Sequence, residues 1–242
     1  MYCDYYRLAT EPFRPIPDPE FLFMGGDVRQ AMAAMVFGIA RRAGGVRLTG
    51  EAGCGKTTLV WAYLDGLDER GIRPIYLFDP RVSFPELLGL ILRELEEGQD
   101  DGGEEHLLDR LKAHLLKLHR AGQTIVVILD DAERMPATTL ARLRKLMALE
   151  AEGEKLLQLM LVGRPELETR LRDVGVMLPV TAHLAPLSRA EAVAYVKHRL
   201  DRVALDHRPV FKEAAIATVA EQARGVPRAM NRLCADALAA GA

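Results

Sequence analysis

Two short segments carry the residue types that could do chemistry. The first is Gly50-Glu51-Ala52-Gly53-Cys54-Gly55-Lys56-Thr57, which fits the pattern G-x-x-x-x-G-K-[ST]. Its three glycines let successive backbone N–H groups close around phosphate oxygens without Cβ clashes. A helix starting at its end, with Thr58, would add unpaired N–H groups and a positive dipole end. In that pattern Lys56 reaches the β- and γ-phosphates and the Thr57 hydroxyl ligates Mg²⁺. The second segment is Asp130-Asp131, with Glu133 two residues on, placed directly after the apolar run Thr124–Leu129. An acid at the end of a buried strand can hold Mg²⁺ directly or through a water, and the next acid stands where a carboxylate would polarise an attacking water. Together the two segments read as a site for a nucleoside triphosphate.

Two arginines extend this set. Arg164 lies in Gly163-Arg164-Pro165-Glu166-Leu167, at the end of a later strand-like run. Arg228 lies in Gly225-Val226-Pro227-Arg228. An arginine one residue after a proline at a helix start can swing back toward a γ-phosphate and make a charge-assisted contact. Cys54 has two readings. A helix N-terminus favours thiolate, which suits a redox switch; a small residue in a variable loop position is the plainer account.

The elements around these residues have the required order. Val46–Thr49 is a strand-like run entered through Gly44-Gly45, and Thr58 to Leu67 carries apolar residues at helical spacing. Residues 9 to 19 contain Pro12, Pro15, Pro17 and Pro19 and read as an extended lead-in. A helix is expected from Asp27, as N-cap, to Arg42. Ile75–Phe78 is a buried-strand candidate, and Pro85 to Glu96 is helical with Pro85 in its first turn. Gly98 to Glu105 reads as a loop, and Leu107 to His119 as a helix. Further strands are expected at Thr124–Leu129, Leu156–Val162 and Val180–Leu184. Strands alternating with helices predict an α/β fold, a parallel sheet with helices on both faces. From Pro186 no strand signal remains, and helical stretches begin near Ser188, Phe211 and Pro227. The expected division is therefore a nucleotide-binding core over 1–185, with its Pro-rich lead-in, and a small helical lid over 186–242.

The whole chain sets further bounds. Its 242 residues can hide roughly 70% or more of the unfolded surface. A net charge of −2 gives no electrostatic footprint for nucleic acid, and Arg142, Arg144 and Lys145 read as a solvated helix face. The three cysteines form no metal spacing, and His106, His114 and His119 are not at the i, i+4 spacing of a shared metal. No run approaches ~18 apolar residues, and the N-terminus is no signal peptide, so a cytoplasmic chain is expected. It stops abruptly at Ala239-Ala240-Gly241-Ala242 as a helix ends.

With these pieces in one order, the chain resembles an AAA+ ATPase, and more narrowly the general secretion pathway protein A (ExeA-like) family of bacteria. The residues that carry this are Pro12-Phe13, Pro17-Asp18-Pro19, Phe21-Leu22, Gly38-Ile39, Leu48 through Leu59, and Asp130-Asp131-Ala132-Glu133. Leu149-Glu150, Lys155 through Gln158, Leu161-Val162-Gly163, Pro165-Glu166-Leu167, His183-Leu184 and Pro186-Leu187-Ser188 follow. Arg199-Leu200 and Gly225 through Arg228, with Asn231, Leu233 and Cys234, complete it. The resemblance implies five parallel strands in the order 5-1-4-3-2 and a helical lid. It implies ATP and ADP as ligands with Mg²⁺, and hydrolysis coupled to assembly of an envelope machine for secretion, a pilus or polysaccharide export. It also implies self-association, a protein partner, and recruitment to the inner membrane through a C-terminal region or that partner.

Four positions depart from the family's pattern. The usual Asp-Glu pair is Asp130-Asp131, which draws the second carboxylate back by roughly 1.5 Å, and misplacement by ~1 Å can cost ~10²-fold in rate. Glu133 stands where Gln is common and could substitute for that base. Arg164 replaces the Gln often found before Pro-Glu-Leu. The stretch that supplies an arginine to a neighbouring subunit reads Asp173-Val174-Gly175-Val176-Met177-Leu178-Pro179, with Arg170 and Arg172 only upstream. Three readings follow: an ATP-driven assembly motor, a slow-hydrolysing ATP-dependent switch, and a DNA-transposition-type helper ATPase, against which the net charge argues.

Overall fold

The computed structural model describes residues 2–67, 71–95, 102–206 and 208–242. In chain order the elements are α1 (Tyr2–Tyr6), α2 (Gly26–Ala40), β1 (Gly45–Gly50), α3 (Lys56–Asp65), β2 (Ile72–Leu77), α4 (Phe84–Glu94), α5 (Glu104–Arg120) and β3 (Thr124–Leu129). Then come α6 (Ala137–Met147), β4 (Glu150–Ala151), β5 (Glu154–Lys155), β6 (Leu157–Gly163), α7 (Glu166–Asp173), β7 (Val180–Leu184), α8 (Arg189–Asp201), α9 (Glu213–Gln222) and α10 (Pro227–Gly241). Short 3₁₀ turns occupy Pro19–Phe21 and Ala132–Arg134. Glu96 and the Gly98–Asp101 part of the expected loop lie outside the described residues.

The chain forms two compact units. One comprises 30–50 and 63–183 and holds the five-stranded sheet, ordered β2-β3-β6-β1-β7. Counting only these strands, that is 5-1-4-3-2, as the family resemblance implied. The order follows from residue type. β6 is buried at all seven positions and β3 at five of six, as central strands covered on both faces must be. β2 carries Pro74, which lacks a ladder donor, and it lies at the sheet edge where that loss is tolerated. Its parallel register sets Tyr76 against Ile128 and Leu77 against Leu129.

Leucines from α4 to α7 close one face of the sheet in a single apolar cluster with Ile75, Ile125, Val127 and Leu129. α4 starts in a capping box between Ser83 and Glu86, with Pro85 in its first turn. On Gly38 of α2, a Cβ would come within 2.8 Å of Val46 Cγ2 and 3.1 Å of Val180 Cγ2, so only glycine permits this approach. Gln158, polar and fully buried on β6, accepts the Gly44 N–H at 2.7 Å and donates to Leu157 O at 3.1 Å. Leaving such a group unsatisfied would cost about 1–3 kcal/mol.

The other unit comprises 1–29, 51–62 and 184–242. The Pro-rich lead-in is tied down rather than loose. Leu8 bridges Ala204, and the Arg199 guanidinium, only 6% exposed, donates to Pro12 O and to the Tyr195 hydroxyl while stacking over Phe21. Phe13, Phe21, Met230, Cys234 and Leu238 join one apolar cluster there.

One local expectation needs correction, and two elements are additions. Asp27 does not cap α2, which begins at Gly26; its carboxylate accepts the Ala185 N–H at 3.1 Å, and the Gly26 N–H goes to Glu191 Oε1 at 3.0 Å. α1 was not foreseen. Nor was the β4–β5 hairpin, whose turn residues Glu152 and Gly153 both take positive φ, the geometry that matches strand twist. Among the described residues no helix is long and apolar enough to cross a membrane.

Candidate nucleotide-binding site

β1 ends at Gly50, and the chain runs straight into the glycine-rich loop and then α3. Gly53 (φ +89°) and Gly55 (φ +95°) adopt backbone conformations that a Cβ disfavours, which lets the loop curl back on itself. The Cys54 N–H donates to Glu51 O at 3.2 Å, and the Leu59 N–H to Gly55 O at 2.9 Å. Lys56, 8% exposed as a residue, bends its ammonium back to donate to Glu51 O at 3.1 Å. Thr57 and Thr58 stand half-buried in the first turn of α3.

Arg228 meets this loop through its backbone. Its N–H donates to Gly53 O at 3.2 Å, and a Cβ on Gly53 would sit 2.7 Å from Arg228 Cβ and 3.1 Å from Val226 Cγ1. The start of α10 is thus keyed to the absence of a side chain at Gly53, with the Arg228 guanidinium left exposed. Cys54 departs from the thiolate reading. It is 6% exposed, and burial pushes its thiol up, outweighing the Lys56 cation. A residue filling a packed loop position fits these facts.

The acidic cluster is built in the sheet-bearing unit. Gly50, Asp130 and Gly163 end or follow neighbouring parallel strands at the carboxyl edge of the sheet, where open α/β sheets bind ligands. Asp130 begins one residue beyond β3, its N–H donating to Leu77 O at 3.2 Å. Its Oδ1 accepts the Asp131 N–H at 2.9 Å and its Oδ2 accepts the Tyr76 hydroxyl at 2.5 Å. Asp131 turns the chain with φ +49°, and its carboxylate stays exposed, 3.4 Å from Arg134 Nη1.

Glu133 and Arg164 are brought together. Glu133 Oε2 accepts the Arg164 N–H at 3.1 Å, and Oε1 lies 3.7 Å from Arg164 Nε. This contact needs Gly163, where a Cβ would be 2.6 Å from Glu133 Oε2. The Arg170 guanidinium donates to the carbonyls of Glu133 and Met135, so it works inside the fold. Met177, where the family's arginine stretch would be, is 84% exposed.

Sequence reasoning missed Tyr76. A lone hydroxyl in an apolar strand, one residue from its end, was the available signal, but it acquires meaning only with the β2–β3 register. The donor chemistry fits Mg²⁺, which takes hard oxygens from one or two protein groups and keeps its other positions for water and phosphate. Asp130 offers a carboxylate and Thr57 a hydroxyl.

Residues 40–171 match the family model described as AAA domain. The chain is 35% identical over 246 residues to General secretion pathway protein A of Aeromonas hydrophila, covering 99% of this chain and 45% of that protein. The resemblance read from the sequence is thereby borne out, and the chain spans under half of that relative's length. Among solved structures it is similar to Cdc6p of Pyrobaculum aerophilum (TM-score 0.66, 17% identity, 88% of this chain and 63% of that one). It is also similar to the ORC2 protein of Aeropyrum pernix in ADPNP-ADP complexes (TM-score 0.60, 16% identity, 86% and 59%). A Walker-type ATPase of Pyrococcus abyssi gives a TM-score of 0.60 at 17% identity, over 90% and 68% of the two chains. These likenesses speak to the fold, an α/β core of the P-loop type. With its sheet order and more than half of its residues matching the model, the chain belongs to the AAA domain family.

Proposed function

We propose that this chain binds ATP with Mg²⁺ and hydrolyses it to ADP and phosphate, in support of a bacterial envelope machine for secretion, a pilus or polysaccharide export. The observation that carries the reading is the loop Gly50–Thr58, with Gly53 and Gly55 at positive φ between β1 and α3. Its backbone N–H groups and Lys56 bind the β- and γ-phosphates, and the start of α3 favours their charge. Thr57 and Asp130 would hold Mg²⁺, which when bound neutralises charge on the phosphates. Asp131 accepts a proton from, or polarises, the attacking water, and Arg164 and Arg228 supply positive charge toward the γ-phosphate. Asp131, 3.4 Å from Arg134 Nη1, is the base in this reading, with Glu133, engaged by Arg164, as its substitute. The functional division is a nucleotide-binding core over 1–185 and a lid over 186–242. Self-association, a protein partner and a cytoplasmic location with recruitment to the inner membrane are part of this reading, which the similarity to a general secretion pathway protein supports.

A second reading, a switch that binds ATP and hydrolyses slowly, draws on one observation. Arg170 is occupied inside the fold, and exposed Met177 stands where an arginine would be offered to a neighbour. A missing finger can cost roughly 10³-fold in turnover. A phosphate-release assay separates the two. The motor reading expects Asp131→Asn to cut a measurable rate by about 10²-fold or more with ATP still bound. If the parent rate is negligible and neither Asp131→Asn nor Glu133→Ala alters it, only the switch survives.

A further inference from the structure

Tyr76 lies on β2 opposite Ile128 in a parallel register. Because successive strand side chains alternate between faces, Ile128 and Asp130 point the same way, and so does Tyr76. The register therefore brings the Tyr76 hydroxyl to the Asp130 carboxylate, 54 positions away in sequence, at 2.5 Å. Its ring lies against Phe78, with centroids 4.5 Å apart. Both oxygens of Asp130 accept a hydrogen bond: Oδ2 from the Tyr76 hydroxyl and Oδ1 from the Asp131 N–H. A carboxylate has about four lone-pair sites, so an oxygen that accepts a hydrogen bond can also meet a cation or its water. Donors on both oxygens constrain the carboxylate plane.

We infer that Tyr76 is a positioning residue that orients the Asp130 carboxylate for a divalent cation accompanying the bound nucleotide, an inference that rests on the ATP·Mg²⁺ reading above. Hydrogen-bonded partners of a ligating carboxylate set its orientation, and losing one costs about 10–100-fold in metal affinity. Tyr76→Phe removes the hydroxyl alone and keeps the ring against Phe78.

The test is Mn²⁺ binding to the ADP complex of the full chain, followed by electron paramagnetic resonance, with ADP affinity in EDTA measured beside it. The expected result is a roughly 10-fold rise in half-saturating Mn²⁺ for Tyr76→Phe with ADP affinity in EDTA unchanged. In an Asp130→Asn background, Tyr76→Phe should add less than about twofold, because the acceptor it orients has lost its charge. A half-saturating Mn²⁺ within about twofold of the parent overturns the assignment, as does an undiminished Tyr76→Phe effect in Asp130→Asn. Failure of the parent itself to bind ADP or Mn²⁺ would instead overturn the nucleotide reading, so the two failures are distinguishable.

Discussion

Replacing Gly53 with alanine should destabilise the protein more than replacing Gly55, although both glycines share nearly the same backbone conformation. Gly53 has φ +89° and Gly55 φ +95°, so either alanine incurs backbone strain of about 1–2 kcal/mol. The surroundings differ. At Gly55 a new Cβ meets nothing within 4 Å, whereas at Gly53 it lands 2.7 Å from Arg228 Cβ, an atom fixed to the α10 backbone. Relieving such an overlap costs about 1–3 kcal/mol more. Urea unfolding without nucleotide should therefore place Gly53→Ala about 1–3 kcal/mol below Gly55→Ala. In a chain of this size each kcal/mol moves the thermal midpoint by about 2–4 °C. Adding Arg228→Gly should remove most of the excess, since it deletes the clashing atom. Equal destabilisation by the two alanines would refute the packing of the loop against α10. So would an excess that Arg228→Gly leaves intact.

Glu133→Ala should lower unfolding stability by about 1–2 kcal/mol by taking the acceptor from the Arg164 N–H, while Asp131→Asn, which tolerates the positive φ, should stay within about 0.5 kcal/mol in the same urea series. The Glu191 carboxyl is held below the usual carboxylate range by the Gly26 N–H first and Ser188 next. Its stabilisation is present above the unfolded value near ~4.3 and is lost as pH falls through the lower folded value, so between pH 6 and 3 the urea midpoint should fall more steeply in the parent than in Glu191→Gln. Burial pushes up the thiols of Cys54 and Cys3, and that of Cys234 to about 12. All three should react with a disulfide reagent at pH 8 more slowly than free glutathione, and a fast thiol would contradict the burial argument.

The sheet was legible because its strands announce themselves locally. Thr124–Leu129 is an unbroken β-branched and leucine run, and the acid that follows it marks the carboxyl edge. The phosphate loop was legible because glycines at fixed offsets have no cheap substitute at positive φ. What stayed hidden depends on contacts distant in sequence. Tyr76 meets Asp130 only through a strand register, Gly53 meets Arg228 only once α10 has docked, and Glu191 reaches Gly26 across most of the chain. For a related reason the sequence leaves a thiolate reading of Cys54 open beside the plainer one: position at a helix N-terminus is visible in sequence, but the burial that opposes thiolate is not. The β4–β5 hairpin escaped because its turn is Glu-Gly, without the Asn or Asp that signals a tight hairpin.

Titration calorimetry of ATP·Mg²⁺ against the parent chain and Lys56→Ala tests the central claim most directly. In the proposed site Lys56 would make charge-assisted contacts worth about 1.5–3 kcal/mol each with phosphate oxygens, so its loss should weaken binding by at least about 10-fold. The account predicts saturable binding at one site in the parent and a loss of that size in Lys56→Ala. No binding by the parent, or equal affinity in the two proteins, would contradict it.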